Sequence, residues 1–199
     1  MPPKFVQTKL LIASGNQGKV MEITSLLSGF NVSVLPATDF DIKEPEETGK
    51  TFKENAELKA RHYGKAAGIP ALADDSGLAV EALNGDPGIY SARWAGDEKN
   101  FNKAMQRIEN ELADNANKKA KFVCALSLYW PDTDKIATFE GEVQGTLTFP
   151  AKGEEGFGYD PIFVPDGYKK TFAEIPRDEK QKISHRAKAF TKLIENCFR

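Results

Sequence analysis

The sequence predicts an α/β protein built on a mixed β-sheet with flanking helices, and three stretches predict it. Near the start, a short apolar run passes through a small polar turn into a helical pattern and then into a second β-type run. That is the order of a parallel βαβ unit. In the middle, an apolar run from Ile69 ends in Ala73-Asp74-Asp75-Ser76-Gly77, and apolar residues resume at Leu78 to Val80. Further on, Phe122 to Trp130 and Ile136 to Leu147 carry the β-branched and aromatic residues of two strands. A connection as brief as theirs makes an antiparallel hairpin.

Taken in order, Leu10-Leu11-Ile12-Ala13 reads as a buried strand and leads into Ser14-Gly15-Asn16-Gln17-Gly18-Lys19. Apolar residues then recur at helical spacing through Val20, Ile23, Leu26 and Leu27, with Gly29 as the stop. Such a turn offers free amides, a favourable helix dipole and a lysine, a combination suited to phosphate. It is not a Walker A loop, because Gly15 is too close to Gly18-Lys19 and Val20 replaces the required Ser or Thr. The plain alternative is a strand-to-helix turn with an exposed lysine. Asn31 to Leu35 reads as the second strand, and Asp39 to Gly49, with Glu44, Glu46 and Glu47, as an acidic loop. That loop is either solvated or lends one carboxylate to a metal.

Thr51-Phe52-Lys53-Glu54 has the form of a capping box and starts a helix ending at Gly68. Asn55 and Lys59 lie one turn apart on it, placed either to face a ligand together or, as such pairs more commonly do, to face solvent. If Ala71 to Ala73 close a strand, Asp74 and Asp75 point to opposite sides. The pair is then either a solvated turn or two buried carboxylates that need a positive partner: a metal, a lysine or a metal-bound polyphosphate. Asn84-Gly85 marks a turn. Arg93 has three possible partners: Asp75, phosphate or a surface acid. Asn100 to Asp114 reads as a helix, and Gly153 to Asp160 is a second glycine-rich loop, in which glycines flanking an aromatic ring either suit a flat ligand or simply make a turn with two packed rings. Ser184 is positioned to cap a last helix, which places His185 and Arg186 in its first turn. Cations there oppose the helix dipole, so a local acid or a ligand must receive them.

The chain has 199 residues, a formal net charge of −2 and two cysteines, Cys124 and Cys197, that fit no metal spacing. Balanced charge argues against a broad nucleic-acid or membrane footprint. No signal-like or membrane-length apolar run is visible, so a cytoplasmic protein in a reducing compartment is expected, as one domain over 1–199. The phosphate-suited turn, carboxylates, aromatic loop and basic helix start together describe a nucleoside polyphosphate pocket. Oxygen-only ligands point to Mg²⁺, and with no nucleophilic triad, attack by an activated water is the simplest chemistry.

Seven blocks carry a resemblance to a known family. They are Ser14 to Lys19 with Glu22, Glu46 to Gly49, Thr51-Phe52 with Glu54-Asn55-Ala56, Leu72 to Leu78, Pro87 to Arg93, Gly156 to Phe163, and Ile183 to Arg186. In this order, and spanning nearly the whole chain, they resemble the inosine triphosphatase, or Ham1-like, noncanonical purine NTP pyrophosphatases. Trp94 stands where tyrosine is expected. The resemblance implies an elongated sheet structure with two lobes around a central cleft, a homodimer, and Mg²⁺-dependent cleavage of ITP, dITP and XTP to monophosphate and pyrophosphate. It implies that Ser14, Gly15, Asn16, Gln17, Gly18 and Lys19 hold the triphosphate, that Asp75 is the general base, and that Glu46 and Asp75 bind the metal. Ser76 would contact substrate, and Phe157, Gly158, Tyr159, Asp160, Lys180, His185 and Arg186 would surround the nucleoside, with Asp74 and Asn55 in support. A Maf-like pyrophosphatase for pyrimidine nucleotides is the nearest rival, and a non-catalytic nucleotide sensor is the rival of another class. A nucleic-acid binder fits the charge balance least.

Overall fold

Strand β1 (Lys9–Ile12) is buried on both faces, so its side chains alternate between two cores. Leu10 and Ile12 pack with Ile23 and Leu27, whereas Leu11 and Ala13 pack with Ala60 and Tyr63. In the computed structural model, which describes residues 2–199, this strand lies inside a six-stranded sheet of order β2-β1-β3-β4-β5-β6. The other strands are β2 (Ser33–Pro36), β3 (Ala71–Val80), β4 (Lys119–Trp130), β5 (Lys135–Leu147) and β6 (Phe163–Pro165). β1 pairs in parallel with β2 and β3, in a register that sets Leu10 against Val34 and Leu11 against Ala71. β5 pairs antiparallel with β6. Four residues link β4 to β5, too few for a parallel crossover. The sheet is therefore mixed, as the sequence predicts.

Among the described residues, six α-helices accompany it: α1 (Gln17–Leu27), α2 (Phe52–Ala67), α3 (Ser91–Trp94), α4 (Phe101–Leu112), α5 (Arg177–Ile183) and α6 (His185–Leu193). Their ends follow from local chemistry. The Asn16 side chain accepts from the Lys19 amide at 3.1 Å and starts α1, and Thr51 does the same for α2 through the Glu54 amide at 3.1 Å. The Glu54 carboxylate accepts from the Lys50 amide, one residue outside a regular capping box. α5 is a short helix that the sequence reading does not anticipate; Ser184, extended in its backbone, divides it from α6, which begins at His185 as expected.

The chain divides into two compact units, 1–75 with 124–141 and 186–199, and 76–123 with 142–185. The first holds the core around β1 and a second cluster under α2. The second has its own core of Leu78, Phe122, Phe163 and Phe172 with the apolar face of α4, Ala104, Met105, Ile108 and Leu112. Among the described residues, no helix is long and apolar enough to cross a membrane.

Candidate active site

The Asp74-Asp75 pair does not end a strand, nor does it make a turn. β3 runs without a break for ten residues, from Ala71 to Val80, through both carboxylates. A continuous strand still sends the two side chains to opposite faces, and both are buried, at 1% and 6% exposure. Each face supplies its own cations, which is what allows carboxylates to stand inside a sheet.

On the face shared with α1 and α6, Asp74 forms an ion pair with Lys19 at 2.7 Å and accepts from Arg186 Nε at 2.7 Å. Arg186 also bonds Glu22 on α1 through its terminal nitrogen, and the Cys124 thiol donates to Asp74 at 3.1 Å. Burial opposes the charged form of Asp74, but Arg186 and Lys19 outweigh it and hold its carboxyl well below the usual range. The acid that the basic start of the last helix requires is therefore supplied twice over. Cys124 stays an ordinary thiol, pushed far up by burial and by Asp74.

On the opposite face, α2 presents Lys59, buried beneath Asp75. Its ammonium donates to Asp75 Oδ1 at 2.9 Å and to the Asp74 carbonyl at 2.9 Å, and pairs with Glu47 at 2.7 Å. Burial lowers the pKa of Lys59, yet the two carboxylates raise it above its ordinary value, so it remains a cation. Asp75 moves the other way from Asp74. Burial raises its pKa, Lys59 and Lys19 pull it back, Glu47 pushes it up, and the net shift is upward. Its second oxygen, Oδ2, is buried and without a hydrogen-bond partner among the described residues. A carboxylate that is raised in pKa, anchored at one oxygen and open at the other is equipped to take a proton.

The acidic loop is fixed to α2 residue by residue. His62 Nε2 meets the Lys43 carbonyl at 2.7 Å, and fully buried Asn55 accepts from the Gly49 amide at 2.8 Å. Only glycine fits at 49, since a Cβ would stand 2.5 Å from Asn55 Oδ1. This anchoring turns Glu47 toward Lys59, while Glu46 is exposed. Glu47, one carboxylate of the acidic loop, and Lys59, one of the pair a turn apart on α2, are thereby brought together beneath Asp75. The spacing of Asn55 and Lys59, one turn apart on a capped helix, is the signal that singles them out in the sequence; their burial and their acidic partners are not visible there.

The phosphate-suited turn is as expected in its local form: Ser14 Oγ accepts from the Asn16 amide at 3.1 Å, and α1 begins at Gln17, so Gly18 and Lys19 lie in its first turn.

The second unit holds a different cluster. The Asp160 carboxylate accepts from the Phe157 amide at 2.9 Å and from Lys180 on α5 at 2.6 Å, so it folds the glycine loop back on itself. Gly156 has φ +73°, and a Cβ there would run into the Asp160 carboxylate. Lys180 Nζ stands 5.0 Å from the centre of the Phe157 ring. The Tyr159 hydroxyl donates to the Ser91 carbonyl at 2.7 Å, and Ser91 Oγ in turn accepts from the Leu78 amide at 3.0 Å. His185 is buried and stacks on Phe122. Ser76 is half-buried on β3. Arg93 is exposed, over the Tyr90 ring at 5.1 Å.

A mixed sheet whose parallel strand runs into a phosphate-suited helix start, beside a poised carboxylate, is the build of a phosphate-handling α/β protein. The family is read from the whole chain. Residues 10–196 match the model of the Ham1 family, and the chain belongs to that family. It is 54% identical to the dITP/XTP pyrophosphatase of Rhodospirillum centenum, over 99% of this chain and 98% of that one. It is 51% identical to the protein of the same name from Zymomonas mobilis, over 96% and 92% of the two chains. Among solved structures it superposes on a HAM1 protein from Coxiella burnetii with a TM-score of 0.86 at 39% identity, covering 94% of this chain and 96% of that one.

Proposed function

We propose that this protein hydrolyses noncanonical purine nucleoside triphosphates, namely ITP, dITP and XTP, to the monophosphate and pyrophosphate, cleansing the nucleotide pool. The observation that carries the reading is Asp75: a buried carboxylate, raised in pKa and with one oxygen unpartnered, in a chain half-identical to dITP/XTP pyrophosphatases. In this reading residues 1–199 work as one catalytic domain. Ser14 to Lys19 hold the triphosphate, with the Lys19 ammonium on its charge. Asp75 takes a proton from water as the water oxygen bonds to the α-phosphorus. The α,β-bridging P–O bond breaks, and its electron pair leaves with pyrophosphate.

The donor set fits a divalent metal. Asp75 Oδ2 is open, Glu46 and Glu47 are the carboxylates of the tethered loop, and all are oxygen ligands. Among the described residues, no group of three His, Cys, Asp or Glu side chains could hold a metal unaided. Mg²⁺ binds through one or two carboxylates and completes its shell with phosphate and water, so Asp75 with one carboxylate of the loop would be enough. When bound, it would polarise the phosphate oxygens and offset their charge. Glu46 and Asp75 would hold it, with Glu47 as the nearer alternative on the loop because it already shares Lys59 with Asp75.

Ser76 contacts the substrate, and Phe157, Gly158, Tyr159, Asp160, Lys180 and His185 surround the nucleoside. Arg186 enters differently from the expectation above. Its Nε and a terminal nitrogen serve Asp74 and Glu22, so we give it the task of orienting Asp74, and through it Lys19, rather than of reading the base. Hypoxanthine and xanthine present a 6-oxo acceptor where adenine presents an amino donor. A pocket of donors would leave one unpaired against adenine, costing about 1–3 kcal/mol. We propose a cytoplasmic homodimer, which sedimentation at micromolar concentration would check.

The test is to incubate the purified protein and Mg²⁺ with ITP, XTP, GTP, ATP, dTTP and UTP and to resolve the products. Pyrophosphate and monophosphate from ITP and XTP, with ATP nearly untouched, is the expected result. Pyrophosphate mainly from dTTP and UTP would replace this reading with pyrimidine-nucleotide cleavage. Binding of ITP without turnover would leave a nucleotide sensor.

A further inference from the structure

The second unit contains a layer of three buried phenylalanines that the proposed chemistry does not use. Phe122 on β4 packs edge-on against Phe163 on β6, with ring centres 4.7 Å apart, and lies nearly parallel to Phe172 at 5.9 Å. Phe163 and Phe172 meet at 5.2 Å and close the triangle. Two polar groups stand on this layer. The His185 imidazole stacks on Phe122 at 4.8 Å and 10°, and the Lys180 ammonium lies 5.6 Å from the centre of the Phe172 ring. Both belong to the set proposed above for the nucleoside, and both are buried.

We infer that Phe122 is a positioning residue for recognition of the base, fixing the plane of the His185 imidazole. The inference rests on the proposed function of the site. A histidine at the very start of a helix has two rotatable side-chain bonds, and the second is broad and only weakly restrained by itself. A near-parallel ring at stacking distance removes that freedom, so the imidazole's nitrogens point in one direction. Phe122 is itself held from two sides by the other rings, which makes it a fixed platform. The direction of the hydrogen bond to the base then adds to the match of donors and acceptors in deciding between purines. This is a layer beneath the binding residues, and it touches no substrate atom.

The experiment compares Phe122→Leu, which keeps bulk and loses the ring, with Phe122→Tyr, which keeps the ring. Two readouts are used on the intact protein: the ratio of kcat/KM for ITP to that for ATP, and the imidazole proton resonances in the NMR spectrum. The protein has only two histidines, so a His62→Gln background leaves His185 alone in that spectrum. The wild type should show ring-current-shifted His185 protons. Phe122→Leu should abolish that shift and lower the ITP:ATP ratio about three- to tenfold, the scale of one aromatic pair. Phe122→Tyr should restore both within about twofold, which a generic packing defect would not predict. If Phe122→Leu does not fold, Phe122→Met replaces it, with the same expectations. The inference is overturned if the His185 shift is lost while the ITP:ATP ratio stays at the wild-type value, or if Phe122→Tyr fails to restore that ratio in a folded protein. Failure of the functional reading looks different: the wild type itself then releases no pyrophosphate from ITP.

Discussion

Two neighbouring aspartates, one peptide bond apart, are pushed in opposite directions by what each face of the strand brings to them. Asp74 meets Arg186 and Lys19 and is held far down; Asp75 is held up by burial, which outweighs the pull of Lys59 and Lys19, with a smaller push from Glu47. The division of labour follows from that contrast: a permanently charged residue can organise cations but is a poor base, while a raised one can accept a proton. Asp75→Asn should therefore cut turnover by about 10²–10⁴ and leave ITP binding measurable by calorimetry. Glu47→Gln probes the same logic with a definite sign. Removing its charge takes away a contribution that raises Asp75 and frees Lys59 to serve Asp75 alone, so the carboxyl pKa falls. The acid limb of the kcat/KM profile should then move to lower pH. A limb that stays in place would mean that Asp75 is not the group whose ionisation governs the reaction.

At the scale of elements, α2 does more than cover the sheet. Its first turn and its middle hold the acidic loop through Asn55, Glu54, Lys59 and His62, and its buried face carries Ala56, Ala60 and Tyr63. One helix thereby sets both the loop that carries Glu46 and Glu47 and the ammonium beneath Asp75. Asn55→Ala should loosen the loop without unfolding the helix, since the capping bond from Thr51 is untouched. A buried hydrogen bond is worth about 1 kcal/mol, so the Mg²⁺ concentration for half-maximal activity should rise roughly fivefold. Titrating Mg²⁺ against pyrophosphate release measures it, and an unchanged midpoint would exclude the loop from metal binding. How much of α2 is legible in sequence is instructive. Its capping box, its apolar face and its glycine stop are all local signals, whereas the burial of Asn55 and Lys59 is not. A polar pair one turn apart reads as a solvated face until an acid is known to wait across from it.

For the whole molecule, the buried charges link stability to pH. Asp74 in the unfolded chain titrates near ~3.9, and in the folded state well below that. Its contribution is thus fully present above that unfolded value and is lost as the pH falls through the depressed folded one. Asp74→Asn should destabilise the protein at neutral pH by about 3 kcal/mol, because Arg186 and Lys19 lose a buried partner, and the difference from wild type should shrink below about pH 4. Asp75 has the reverse sign: its raised folded value makes its charge a cost at neutral pH that lessens as the pH drops. Urea unfolding of both variants across this range distinguishes the two, and a gap for Asp74→Asn that is constant with pH would refute the assignment.

What the sequence determined by itself is whatever one stretch of chain can express. The βαβ start, the capped helices, the hairpin and the order of the family's blocks are all written in periodicity, turn residues and caps, and all are found in the structure. Even the opposite facing of Asp74 and Asp75 follows from a period of two. Only the tertiary structure decided that β3 continues through them, because an uninterrupted strand of carboxylates is tolerable only once cations from other elements are in place. It also decided the partners: Arg186 reaches Asp74 across 112 positions of sequence, and Lys59 takes Glu47 while its neighbour Glu46 faces solvent. The physical reason is the range of the signals. Backbone propensity acts within a turn or two, whereas the cost of burying a charge is met by whichever opposite charge the fold brings within about 3 Å.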